Sequence, residues 1–110
     1  MTWLKALRRA ALITLALLGH TASAATLVVA PHTALPTVAM ALARAADGDT
    51  IEVHSGTYRG DVAVILQKRL TIRGVGPRPV MWADGRHAEG KAIWVVRDGA
   101  ITVENIAFRG

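Results

Sequence analysis

The side chains that could do chemistry are densest in residues 84–91, which read Asp-Gly-Arg-His-Ala-Glu-Gly-Lys. His87 is of the type that serves as a general base near neutral pH. Arg86 could bind a carboxylate through its forked guanidinium. Trp94 follows closely, and an outward-facing indole is a natural platform for a sugar ring. We name Trp94, Arg86 and His87 as candidate substrate-binding residues, while a solvated insertion loop is the simpler interpretation of residues 84–91.

Other polar residues do not form a recognisable catalytic or metal-binding pattern. Asp47 and Asp49 flank Gly48, and turn chemistry explains them better than calcium ligation. The chain has no cysteine, and no two histidines have the close spacing of zinc ligands. It contains neither a Gly-x-Ser-x-Gly elbow nor a phosphate-binding glycine loop. The sequence therefore predicts no catalytic residue, no metal site and no cofactor within this chain.

The N-terminal segment has the composition of a secretory signal peptide. Residues 1–24 carry three basic residues and no acidic one, then an apolar run over residues 10–18 and the small residues Ala22-Ser23-Ala24. These features predict cleavage before Ala25. The apolar run is about half as long as a bilayer span requires. We therefore expect export to a periplasm or beyond, with no membrane contact after cleavage.

Net charge argues against nucleic acid as a partner. The whole chain has 13 basic and 8 acidic residues, but three of the basic ones lie in the predicted signal peptide. The remainder carries ten basic residues against eight acidic ones, and Lys68-Arg69 is its only adjacent basic pair. Such scattered charge does not predict a phosphate-binding surface.

Hydrophobic periodicity divides the remaining residues into an N-terminal part and a series of strands. Residues 25–48 are predicted to form a short strand and then an amphipathic helix over residues 34–46, capped by Thr33 and ended by Gly48. This helix is expected to cover one end of the strand stack. Residues 49–110 then alternate short apolar runs with connections too short for intervening helices.

The spacing of these runs predicts a parallel β solenoid. A shift of 31 residues carries Val62/Val64 onto Ile93/Val95 and Leu70/Ile72 onto Ile101/Val103, with Ile51/Val53 a further 19 residues before Leu70/Ile72. A competing register aligns Ile51, Ile72 and Ile93 at a spacing of 21. We prefer the first register because it preserves two strands at once. The inward positions expected from it are Leu27, Val29, Ile51, Val53, Val62, Val64, Leu70, Ile72, Val80, Trp82, Ile93, Val95, Ile101, Val103, Ile106 and Phe108.

Residues 45–58, 62–66 and 70–76 resemble the opening of right-handed parallel β-helix proteins, the pectin-lyase-like group that includes pectinesterases and polysaccharide lyases. Residues 101–110 are similar to a later coil, in which Asn105 would stand in a ladder at a tight corner. The resemblance implies an all-β right-handed parallel β-helix of about two to three coils with an N-terminal capping α-helix. It is weak for function, because one fold hosts many activities.

The resemblance implies the N-terminal part of a longer exported protein that binds or processes polysaccharide. Catalytic coils, with calcium in the intact protein, would then lie beyond Gly110, and this chain would be inactive by itself. Ile106 and Phe108 would lie on an uncovered last rung, through which the chain could self-associate. The alternative is a non-catalytic exported protein, either a binding or structural module or a periplasmic accessory protein.

Overall fold

A computed structural model describes residues 24–110, and the predicted signal peptide otherwise lies outside these described residues. Short strands dominate, and one helix lies between the first two. In chain order the elements are β1 (Thr26–Val29), α1 (Val38–Arg44), β2 (Thr50–His54), β3 (Thr57–Arg59), β4 (Ala63–Ile65), β5 (Arg69–Val75), β6 (Val80–Trp82), β7 (Trp94–Val96), β8 (Ala100–Glu104) and β9 (Ala107–Arg109).

All strand pairs are parallel, and they fall into three small sheets. The sheet orders are β1-β2-β5-β8, β3-β6-β9 and β4-β7. The prediction of a right-handed parallel β-helix is wrong, because residues 24–110 show small sheets of mixed strand order and no closed or solenoid sheet. A solenoid needs a fixed repeat, whereas paired strands here are separated by 21 to 31 residues.

Each of the two predicted registers is right for one step only. The shift of 31 is confirmed where Val64 pairs with Val95 and Ile72 pairs with Val103. The preceding step is 21 rather than 19, because Ile51 pairs with Ile72. The longer second step contains residues 83–92, which lie largely outside the strands. This insertion is why no single period fits both steps.

The buried core lies between the strands and the helix. Ile51, Ile72 and Val53 are fully buried on β2 and β5, where strict alternation leaves their neighbours partly or fully exposed. Val38 and Ala41 of α1 join the same cluster and are also fully buried. The helix thus supplies an apolar face that the short strands could not provide alone.

Several residues predicted to face inward do not. Met81 is fully buried, so its neighbours Val80 and Trp82 point to the other side of β6 and are only half-buried. The inward phase is set by Tyr58, which is buried on β3 and pairs with Met81. Phe108 pairs with Met81 from the other side but is 51% exposed, because β9 is the edge strand of its sheet.

The same reversal of phase occurs in the two-stranded sheet, and exposure rises in the outermost strand of the large sheet. Ile65 is fully buried at the end of β4, whereas the predicted core residues Val62 and Val64 are only half-buried. In β8 the predicted core residue Ile101 is half-buried and Val103 is exposed. The cause for β8 is its position at the edge of the sheet, where one side of the strand has no neighbour.

The helix begins later and ends earlier than its periodicity predicts. Its N-cap is Thr37, whose hydroxyl accepts a hydrogen bond from the Met40 amide at 3.1 Å. Thr33, the predicted cap, instead donates to the carbonyl oxygen of Ala30 in the preceding turn. Pro36 explains the delay, since a residue before proline is disfavoured in the helical region.

Replacing Ile72 by Ala should lower the free energy of unfolding by about 2–5 kcal/mol, because a fully buried side chain would leave a cavity. Val28→Ala is the matched control, since Val28 is 44% exposed on the same sheet. Urea titration followed by circular dichroism measures both. Equal midpoints for the two variants would show that Ile72 does not face the core.

Candidate functional site

The outer face of the β3-β6-β9 sheet carries two arginines stacked on one tryptophan. Arg59, Trp82 and Arg109 occupy equivalent positions on the three strands. The guanidinium carbon of Arg59 lies 4.5 Å from the Trp82 ring centroid, and that of Arg109 lies 4.3 Å from it. Because β6 is the middle strand, the two cations flank the indole from opposite sides. Both distances are within the range of cation–π attraction.

The loop at residues 84–91 adjoins one end of this face. Asp84 contacts Arg59 with a nitrogen–oxygen distance of 3.4 Å, in a pair exposed enough to contribute little stability. Arg86 crosses Gly60, so close that a Cβ added at Gly60 would lie 2.9 Å from the Arg86 Cδ. We call Arg59, Trp82, Arg86 and Arg109 the arginine face.

The structure does not assemble the three predicted substrate-binding residues into one site. Trp94 packs edge-on against Phe108, with ring centroids 4.9 Å apart. Arg86 instead lies beside Gly60 at the end of β3, and His87 is exposed in the loop. The substrate-binding role of Trp94, Arg86 and His87 stays a prediction.

Trp94 lines an apolar cavity of about 330 Å³ at one edge of the molecule. The other lining residues include Ile65, Val96, Val103 and Phe108. The indole Nε1 is buried and has no hydrogen-bond partner in the described part of the chain. The cavity opens where the edge strands β7, β8 and β9 meet. This edge is therefore an apolar surface and not a polar catalytic cleft.

Asn105 stands at the turn between β8 and β9 with a φ of 52°, a left-handed conformation that asparagine tolerates. Its side-chain nitrogen donates to the carbonyl oxygens of Gly74 and Gly76, both at 3.1 Å. Gly74 has no room for a side chain, because a Cβ there would overlap the Asn105 carbonyl oxygen. Asn105 therefore ties its turn to the neighbouring strand, and its place in a ladder stays a prediction.

Asp61 is a buried carboxylate that the sequence analysis did not single out. Its two oxygens accept hydrogen bonds from the amides of Val38 at 2.6 Å and Ala39 at 3.0 Å. Burial raises the pKa of Asp61, and these two hydrogen bonds act in the opposite direction. Both oxygens are already engaged by the first turn of α1, so Asp61 serves as a helix cap rather than as a proton donor to a substrate.

Tyr58 lies in the same interior region. Its hydroxyl donates to the carbonyl oxygen of His54 at 2.8 Å. Burial raises the pKa of Tyr58, and the negative charge of Asp61 raises it further. A phenol that is already donating a hydrogen bond and is harder to ionise is a structural group and a poor general base.

Asp49 is the second buried carboxylate. Its oxygens accept from the backbone nitrogens of Ala25 and Ala46, both at 2.8 Å. These hydrogen bonds, that from Ala25 first, lower the pKa of Asp49. The predicted turn role of Asp49 thus extends across the chain, since Ala25 lies 24 residues earlier.

No group of three or more histidine or acidic side chains within residues 24–110 is arranged to hold a metal ion. Within the same residues, no helix has the length and apolar character needed to cross a membrane. The residues that sequence reasoning missed are Arg59, Trp82, Arg109 and Asp61. Arg59 and Trp82 are 23 residues apart and Trp82 and Arg109 are 27 apart, which matches neither predicted register.

Replacing Asp61 by Asn should lower the free energy of unfolding by about 1–3 kcal/mol, since its amide nitrogen would face a backbone N–H. Because the folded-state pKa of Asp61 is raised above 3.8, wild-type stability should fall as pH rises from 3.8 through that pKa. This part of the profile should vanish in Asp61→Asn, as measured by urea titration from below pH 3.8 to neutral pH.

Asp98→Asn is the control for this experiment, because Asp98 is an exposed carboxylate paired with Lys68. It makes the same change of charge without touching the helix. A loss of stability that is equal in the two variants would contradict the capping role of Asp61.

Comparison with known proteins does not place the chain in a family. No protein-family model matches it, no curated protein matches its sequence, and no solved structure matches its fold.

Proposed function

We propose that the chain belongs to an exported protein whose arginine face binds an acidic, uronate-bearing polysaccharide. The observation that carries this proposal is the Trp82 indole held between the guanidinium groups of Arg59 and Arg109. The composition of residues 1–24 supports export. Catalysis is not part of the proposal, because the buried carboxylates Asp49 and Asp61 are engaged by backbone amides.

Stacking prepares these arginines for a carboxylate ligand. An indole on one side of a guanidinium restricts its rotation and leaves its N–H edge free to donate. Carboxylates bind such an edge through two parallel hydrogen bonds. Because Arg59 and Arg109 flank one ring, a chain of uronates could engage both, with Arg86 extending the face at one end. Ordering these side chains before binding lowers the entropic cost of recognition.

The chemistry of the face favours sugar acids over a neutral glycan. Both ring faces of Trp82 are directed at arginines, so the indole has no free face on which a neutral sugar could stack. Arg59 shares its charge with Asp84, whereas Arg109 forms no salt bridge within residues 24–110. Binding should therefore depend on Arg109 more than on Arg59.

Arg109→Gln should weaken binding of a polygalacturonate oligosaccharide at least tenfold, because each lost charge-assisted contact is worth on the order of 1.5–3 kcal/mol. Arg59→Gln should weaken binding less. Isothermal titration calorimetry measures both dissociation constants. Arg73→Gln is matched to Arg59→Gln, because Arg73 is also exposed and paired with one acidic residue, Glu52, on a different sheet.

The ligand itself supplies a second control. A methyl-esterified polygalacturonate has the same sugars without the charges and should bind weakly, as should a neutral glucan. Equal affinity for the acidic and esterified forms would contradict recognition of carboxylates. A loss of affinity in Arg73→Gln as large as that in Arg59→Gln would contradict the location of the site.

We also propose a second candidate function, the pairing of the β8 edge with a second copy of this chain. The apolar cavity beside β8 and the exposed Val103 support it. An antiparallel pairing centred on Thr102 would place Ile101 opposite the other copy's Val103. It would also place Glu104 opposite Ala100, which avoids facing like charges. Apolar side chains would then remain together on one side of the joined sheet.

Val103→Lys should shift this association toward the monomer, because it places a charge on the apolar edge. Val28→Lys is the matched control, since Val28 is 44% exposed and Val103 is 41% exposed at opposite edges of the same sheet. Sedimentation velocity over a concentration series gives the oligomeric state. A wild-type chain that stays monomeric throughout would eliminate this candidate.

A further inference from the structure

The backbone nitrogen of Ala25 lies against a buried carboxylate. It donates to Asp49 Oδ1 at 2.8 Å, and Asp49 is 5% exposed. The carbonyl oxygen of Ala25 accepts from the Thr50 amide at 2.9 Å. Ala25 is therefore fixed at both its nitrogen and its oxygen, immediately before β1 begins at Thr26. The side chain that holds it comes from the start of β2, 24 residues later.

Asp49 has no salt-bridge partner among the described residues. Its two hydrogen bonds come from backbone nitrogens, those of Ala25 and Ala46. A buried carboxylate is costly unless a charge or several donors compensate it. The position of Ala25 therefore matches what a positively charged nitrogen would satisfy best.

The residue fixed in this way is also the first residue after the predicted cleavage site. The small residues Ala22-Ser23-Ala24 end the predicted signal peptide. Ala24 and Ala25 are both exposed, so the bond between them is accessible from solvent. Two independent observations, a sequence pattern and a hydrogen bond, thus meet at one peptide bond.

We propose that Asp49 is the docking site for the new N-terminus created by cleavage between Ala24 and Ala25. A protease of the signal-peptidase class hydrolyses this peptide bond with one water molecule. Ala24 leaves with a carboxylate, and Ala25 keeps an α-amino group that is protonated near neutral pH. The ammonium replaces the neutral amide as donor to Asp49. The proposal rests on the predicted export and is independent of the polysaccharide ligand.

The consequence is that processing strengthens the fold. Hydrogen bonds between ionised groups are roughly twice as strong as those between neutral ones. The uncleaved chain keeps a neutral hydrogen bond at this position, whereas the cleaved chain gains an ion pair that joins the start of β1 to the start of β2. Since β1 is an edge strand of the large sheet, a clamp at its first residue limits fraying.

The charges around the new terminus set its pH dependence. Asp49 faces it directly, Asp47 lies in the adjacent turn and accepts from the Lys68 amide, and the Arg69 guanidinium approaches Gly48. An α-amino group ordinarily has a pKa of about 7.7–8.0, and contact with Asp49 should raise it. The added stability is then fully present below the ordinary value and is lost as pH rises through the raised one.

The test begins with the full chain expressed with its leader in an exporting bacterial host. Intact mass should show a protein that begins at Ala25. Titration of the Ala25 α-amino group by nuclear magnetic resonance should give a pKa above its ordinary range, and Asp49→Asn should return it to that range. Asp47→Asn is the matched control, an adjacent carboxylate with the same change of charge, and should leave most of the shift in place.

A second measurement covers the case in which Asp49→Asn fails to fold. Ala24→Trp, which blocks cleavage by placing a bulky residue at the site, gives the unprocessed protein, whose urea midpoint should be lower than that of the processed one below pH 7.7. The difference should disappear at strongly alkaline pH. A mature terminus at any other residue, or an unshifted Ala25 pKa in the wild type, would overturn the proposal.

Discussion

The rest of the structure depends on how the ends of one seven-residue helix are satisfied. A helix as short as α1 is unstable alone, because its nucleation cost is spread over few hydrogen bonds. Asp61 binds the amides of its first turn, and the Gln67 side chain donates to the carbonyl oxygens of Leu42 and Ala45 at its other end. Both residues flank β4, so one segment holds the helix at both ends.

This arrangement couples sheets that would otherwise be too small to persist. The strands of two of the three sheets are only three residues long, and a pair of such strands has little stability in water. The helix buries Val38, Ala41 and Leu42 in the cluster that also contains Ile51 and Ile65. Residues from different sheets thus share one core, and the polar clamps fix the orientation in which they meet.

Much of the local structure was predictable from sequence, and most of the long-range geometry was not. Alternation identified β2 and β5 and their buried residues Ile51 and Ile72, because two-residue periodicity is a local property. The outward phase of β6 was missed, because Val80 and Trp82 are as apolar as Met81, and only pairing with buried Tyr58 decides between them. The arginine face was invisible for the same reason, since its spacings of 23 and 27 arise from loop lengths.

The distribution of acidic residues gives the surface a charge that the composition understates. Residues 25–110 contain ten basic and eight acidic residues, yet Asp49 and Asp61 are buried against backbone amides. The solvent therefore meets ten cationic side chains against six carboxylates. Since the buried carboxylates are needed to hold Ala25 and the helix, this excess of positive charge is a by-product of folding. A polyanionic ligand is the kind of partner for which such a surface is suited.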